Sequence, residues 1–149
     1  MMNKDIQNFV ENNKIYCSNK KSVTQNGINF TILSKESFIC FEIDGKIINT
    51  QNSIKCDWGF IRESNEDFYF VELKGKNGDH GFDQIITTIE YMNSHILKIP
   101  KNKTFGFLVA NGYVPKESGD VQKKKIIFRD KYGKSLEVCT NKKMIHKPK

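Results

Sequence analysis

No stretch of the chain approaches the roughly 20 consecutive apolar residues that a membrane-spanning helix needs. The apolar fraction, 38% with 11% aromatic, suits a globular fold rather than a membrane protein. Met1-Met2-Asn3-Lys4-Asp5 lacks the apolar stretch and small-residue cleavage site of a secretory signal, so a cytoplasmic location with no membrane partner is the expectation. The four cysteines, Cys17, Cys40, Cys56 and Cys139, form no C-x-x-C pair. His80, His95 and His146 do not complement them at zinc-ligand spacing, so a structural zinc is not expected. Cys40 and Cys56 lie in apolar runs where a free thiol behaves as a small hydrophobe, and both are expected in the core. Internal repeats and low-complexity linkers are missing as well. The 149 residues therefore read as one domain, a size that buries roughly 70% of its unfolded surface.

Charge is present but unevenly placed. Residues 1–119 carry 14 basic and 14 acidic side chains, whereas residues 120–149 carry 10 basic against three acidic, so the whole formal excess of +7 belongs to the last thirty residues. Clustered Lys and Arg gain affinity for polyanions by releasing phosphate counterions, and nucleic acid is the expected partner. A solubilising tail is the plainer alternative.

Periodicity predicts the elements. Asp5 to Glu11 reads as a short helix burying Ile6, Phe9 and Val10, and Asn26-Gly27 is a turn signal before a strand over Ile28 to Leu33. Three strands follow, Phe38 to Ile43, Ile54 to Ile61 and Phe68 to Lys74, joined by short polar connections as an antiparallel meander. Phe82, Ile85, Ile86, Ile89, Met92 and Ile96 recur at helical spacing, ended by Pro100. Thr104 to Ala110 then reads as a buried strand, and a strand-helix-strand unit implies a parallel crossover and a mixed sheet. Lys125 to Cys139 is expected to form a basic C-terminal hairpin, about residues 120–140, with Tyr132-Gly133 in its turn. It would present Lys123, Lys124, Lys125, Arg129, Lys131 and Lys134 to nucleic acid.

Three ionisable groups sit against local preference. Strand alternation projects Glu72 and Lys74 from one face, shared with Phe68 and Phe70, while Val71 and Leu73 face the other way, so this strand is apolar on both sides and central. Asp57 interrupts the preceding apolar strand, where burial and β-propensity both disfavour it. Charged groups in such places are costly unless paired or bound to something. A strand-end ion pair, with Asp57 satisfied by backbone amides, is the plainer reading. Trp58 and Phe60 read as core rather than as a base-stacking platform.

The chain resembles the PD-(D/E)XK nuclease superfamily, the restriction-endonuclease-like fold. The resemblance rests on Lys55-Cys56-Asp57, on Val71-Glu72-Leu73-Lys74, and on the order helix, meander, helix, strand over about residues 38–112. With Ile43-Asp44-Gly45 and His80 to Gln84, it is also similar to small uncharacterised bacterial members of that superfamily. Cys56 stands where the family name has Pro. What the resemblance implies is a Mg²⁺-dependent endonuclease, with Mn²⁺ able to substitute, that hydrolyses phosphodiester bonds in nucleic acid, DNA first. Asp57, Glu72 and the Leu73 carbonyl would hold the metal, and Lys74 would manage the attacking water. Gln84, one helical turn from His80, is a further catalytic candidate. Glu11, Glu42 and Asp44, with Glu36 behind Glu11, are candidates for an extra carboxylate. Cutting both strands would need two active sites, which a homodimer supplies. The alternative function is a catalytically inactive nuclease-like module that binds nucleic acid or a partner protein.

Overall fold

A computed structural model describes residues 2–50, 55–74, 78–112 and 118–149. The chain is mixed α/β, and it opens with helix α1 (Lys4–Asn12). The Asn3 side chain caps α1 by accepting from the Ile6 N–H at 2.9 Å, and Asn13 ends it with its N–H on the Phe9 carbonyl. Ile6 and Phe9, three residues apart, form the buried face of α1, with the Phe9 ring edge-on to Phe41 at 5.2 Å.

A two-residue strand β1 (Cys17–Ser18) leads to β2 (Ser22–Gln25) and β3 (Ile28–Ile32). Asn26 and Gly27 join these two with φ of 53° and 80°. Positive φ at both central residues matches hairpin twist, which is why Asn-Gly sits here. Ile28, Phe30 and Ile32 alternate inward, and β3 takes β9 (Lys143–His146) as a parallel neighbour.

The meander is present as β4 (Phe38–Glu42), β5 (Trp58–Arg62) and β6 (Asp67–Lys74), paired antiparallel. It is followed by α2 (Gly78–Tyr91) and β7 (Thr104–Ala110), the latter parallel to β6 as expected of a crossover. The main sheet is mixed and six-stranded, in the order β1-β4-β5-β6-β7-β8, with β8 at Ser135–Cys139. β6 is central and apolar on both faces. Phe68 and Phe70 belong to one core with Ile85, Ile89 and Met92, while Tyr69, Val71 and Leu73 belong to a second core shared with β2 and β3. Helices thus cover one face of the main sheet and a three-stranded sheet covers the other.

Three expectations need correction. Residues 120–140 are not a hairpin: Ser118–Lys131 forms helix α3, and β8 lies parallel to β7. Parallel neighbours need a crossover, which α3 supplies, and the short run Ile126-Ile127-Phe128 could not distinguish strand from helix by period. Phe128 alone of that run is fully buried. Its ring fills the space above Gly106, where a Cβ would come within 3.1 Å of it, and beside Gly133, so Gly133 serves close packing rather than a hairpin turn. The second correction is that β5 begins at Trp58, so Asp57 stands just ahead of the strand instead of within it; position 54, the first of the expected strand, lies outside the described residues. Finally, the apolar stripe of α2 does not run straight to Ile96. Met92–Ile96 winds as a π-turn, whose extra residue rotates Ile96 outward and buries Leu97 instead.

Candidate active site

The site lies where β6 outruns β5. The first residue of β5, Trp58, pairs with Val71, so Glu72, Leu73 and Lys74 extend past the β5 ladder and Asp57 stands opposite them. Asp57 Oδ2 accepts the Leu73 N–H at 3.1 Å, taking over the role of the missing strand partner. On the other edge of β6 the Lys74 carbonyl accepts from Asn111 N–H at 3.2 Å. Alternation along the strand therefore turns the Leu73 carbonyl toward the Asp57 side.

Glu72 is 2% exposed, and its Oε1 has no hydrogen-bond partner among the described residues. Its Oε2 stands 3.9 Å from Lys74 Nζ. Gly81 of α2 lets the helix pack closely on β7 beside Glu72, since a Cβ there would collide with Leu108 Cδ1, with Glu72 Cγ at 3.4 Å. Burial pushes the Glu72 carboxyl up to about 9, with the Asp57 charge adding to the rise and Lys74 opposing it. Burial raises Asp57 as well, opposed by the Leu73 N–H and reinforced by Asp44. The two carboxyls are coupled, the Asp57 charge adding to the rise of Glu72.

Lys74 is fixed from the helix. Its Nζ donates to Gln84 Oε1 at 2.8 Å, and Gln84 Nε2 donates to the Lys55 carbonyl at 3.1 Å. One turn on, Thr88 Oγ1 donates to the Gln84 carbonyl at 2.7 Å and accepts the Cys56 N–H at 2.8 Å. Gln84 and Thr88 thus tie α2 to the segment that carries Asp57. An ammonium has three donors; with one on Gln84 and one turned to Glu72, a third is left for a ligand.

The structure brings together Asp57, Glu72, Lys74, Gln84 and the Leu73 backbone. Glu42 and Asp44 line a recess of about 190 Å³ with Gln25, Lys46, Asp57 and Trp58, so they flank the pair. Glu36 is elsewhere: it holds Arg62, at the far end of β5, through Nε at 3.0 Å and through Nη2, and these bonds with Ser64 keep its carboxyl down near 2. Glu11 is exposed on α1 and His80 is exposed on α2. Trp58 is half-buried at the recess, its ring under the Lys20 ammonium at 4.4 Å, whereas Phe60 is core. Sequence reasoning misses Thr88 and Gly81, although the Gln84-to-Thr88 spacing of four residues puts both on one helical face.

No family model, curated protein or solved structure matches the chain.

Among the described residues no group of three or more His, Cys, Asp and Glu is arranged as a ready-made metal cage. For a divalent ion the protein would supply two carboxylates and one carbonyl, all hard oxygen, which suits Mg²⁺ because that ion keeps several waters. The buried Oε1 of Glu72, lacking a partner among the described residues, faces the cost that a bound cation removes.

The basic residues expected on a hairpin are carried by α3 and the turn after it. Lys123, Arg129, Lys131 and Lys134 are exposed, and Lys124 and Lys125 are half-buried. Lys124 Nζ lies 5.0 Å from the Phe82 ring centroid, next to Gly81, so this basic surface adjoins the flank of α2 that covers Glu72.

Proposed function

We propose that this chain is a metal-dependent endonuclease that hydrolyses phosphodiester bonds in nucleic acid, with a restriction-endonuclease-like core. One observation carries the reading: the buried Glu72 carboxyl, its Oε1 without a partner among the described residues, stands beside Asp57 and Lys74 at the open end of the central strand. A carboxylate buried without compensation is costly, so its retention beside a second carboxylate points to a cation. The order of meander, helix and parallel strand supports the same reading.

Asp57 and Glu72 would hold Mg²⁺ with the Leu73 carbonyl. When bound, the ion supplies Lewis acidity to a phosphoryl oxygen and acidifies a water. The chain's own groups do the rest. Gln84 holds the Lys74 ammonium at the mouth of the site, where its remaining donor can position the attacking water and offset charge on the phosphate. Gly81 lets α2 pack closely on Leu108 beside Glu72, which helps keep solvent from the carboxyl. The α3 lysines would track the phosphate backbone nearby.

The test is incubation of linear and circular DNA and of RNA with Mg²⁺ or Mn²⁺, with an EDTA control. Cleavage that requires the metal and disappears in Asp57→Asn is expected. A second reading, binding without cleavage, is favoured by Ile126 and Ile127, which stand exposed among the α3 lysines as they would in a protein-binding or nucleic-acid-binding face. Metal-independent retention of nucleic acid with no cutting under any condition would select it.

A further inference from the structure

A larger cleft, about 710 Å³, opens at the other end of the main sheet, where β6, β7 and β8 begin. Its volume falls in the range of small-molecule sites. We propose that it binds a small phosphomonoester of mononucleotide size, with the phosphate on Tyr69, Arg62 and the rim lysines and the flat end of the ligand against Phe105 and Ile145.

The floor is built and polar. Tyr69 is 2% exposed, its ring enclosed by Phe38, Phe105, Phe107 and His146 at centroid distances of 5.8, 5.6, 5.1 and 5.2 Å. Its hydroxyl has no hydrogen-bond partner among the described residues, and it lines the cleft. The ring is buried while the hydroxyl stays reachable from the cleft, so it is open to a ligand. Arg62, 9% exposed, is gripped by Glu36 through Nε and Nη2, which leaves Nη1 free to donate. Around this floor stand Lys134, Lys147 and Lys149, none of which has an ion-pair partner among the described residues.

Two carboxylates also line the cleft. Asp67 is matched by Lys103 at 3.7 Å and accepts from the Asn65 amide, so it is occupied. Glu137 stands 3.7 Å from His146 Nδ1 and is outnumbered by the three lysines. The balance favours an anion. A fixed guanidinium beside an open phenol, with lysine ammonium groups lining the same cleft, is the donor pattern that a compact oxyanion needs. Phe105 and Ile145 add an apolar wall, which inorganic phosphate would leave uncovered and a nucleoside would cover.

The phosphomonoester could be a free nucleotide or the phosphorylated end of a strand, and calorimetry in metal-free buffer separates the two. The probes are inorganic phosphate, a 5′-mononucleotide, and a short oligonucleotide with and without its 5′-phosphate. Phosphate-bearing probes should bind, the mononucleotide more tightly than inorganic phosphate. Tyr69→Phe, which keeps the ring, should weaken binding by about 3–10-fold, and Lys147→Gln with Lys149→Gln by about 10-fold or more. Asp57→Asn should leave these affinities unchanged, which makes the result independent of any nuclease activity. Tighter binding of the mononucleotide than of the phosphorylated oligonucleotide identifies a free nucleotide, and the reverse order identifies a strand end. Absence of binding by every probe, equal affinity with and without the 5′-phosphate, or wild-type affinity in both variants would overturn the proposal.

Discussion

Replacing Glu72 with Gln keeps the shape of the side chain and removes the charge that its surroundings oppose. In the metal-free protein the Glu72 carboxyl stays protonated up to about 9, against an ordinary value of 4.5 in the unfolded chain. Between those values the unfolded state has released a proton that the folded state retains, so stability falls as pH rises. Over about three pH units, from about pH 5 to about pH 8, the loss is on the order of 4 kcal/mol at about 1.36 kcal/mol per unit. Asp57, also raised, contributes in the same direction. His146, lowered by burial, works the other way: its contribution is present above its unfolded value of 6.5 and lost on acidification. It cancels in the difference between wild type and variant. Urea denaturation in EDTA at the two ends of that range should therefore show wild type losing stability with pH while Glu72→Gln loses far less. Adding Mg²⁺ to about one hundred times its Kd should restore about 2.7 kcal/mol to the wild type at the upper pH. For a domain of this size that is a Tm rise of roughly 5–10 °C, and Glu72→Gln should miss most of it. Parallel pH profiles for the two proteins, or equal stabilisation by Mg²⁺, would refute both the burial argument and the assignment of Glu72 as a ligand.

Lys74→Ala should abolish cleavage while nucleic-acid affinity, read by fluorescence anisotropy, changes little, because one ammonium is a small part of a many-phosphate interface. Gln84→Leu should reduce the cleavage rate without changing that affinity, since Lys74 loses its 2.8 Å acceptor. Replacing Lys123, Lys125 and Arg129 with Gln should make the log-log dependence of affinity on salt shallower by about one unit for each phosphate no longer neutralised. An unchanged slope in the folded triple variant would reduce α3 to a solubilising surface. Phe128→Ala should cost about 3–5 kcal/mol in urea denaturation, because the fully buried ring fills the space against Gly106 and Gly133.

Much of the main sheet is legible in the sequence because its elements announce themselves by period. β6 alternates two apolar sets, α2 carries the stripe Phe82, Ile85, Ile86 and Ile89, the short turn after β5 makes β6 its antiparallel partner, and the helical crossover returns β7 parallel to β6. Glu72 and Lys74 are legible for the opposite reason, as charges where burial forbids them. What fails to show is decided by tertiary context. Ile126-Ile127-Phe128 is helical because β8 has to lie parallel to β7, a constraint that no local window contains. The π-turn at Met92–Ile96 is a one-residue shift in register, invisible to a pattern of apolar positions. Asp44 reads as a turn former beside Gly45, and only folding brings it to the recess it shares with Asp57. Tyr69 reads simply as one more apolar strand residue, because whether a phenol finds a partner depends on neighbours from β4, β7 and β9.

The parallel pairing of β3 with β9 has a kinetic side. It joins Asn29 to Lys143 and Ile32 to His146, segments more than a hundred residues apart in the chain. During synthesis the hairpin of β2 and β3 emerges early, with Phe30 already committed to a surface that Phe60 and Phe107 have yet to supply. Only after residue 146 has left the ribosome can the free edge of β3 be closed. Until then the nascent chain carries an open strand edge beside an unfilled apolar layer, the combination most prone to wrong pairing. Shortening the chain before β9 would make that passing state permanent, so such fragments should aggregate even though every residue of the carboxyl site is still in place.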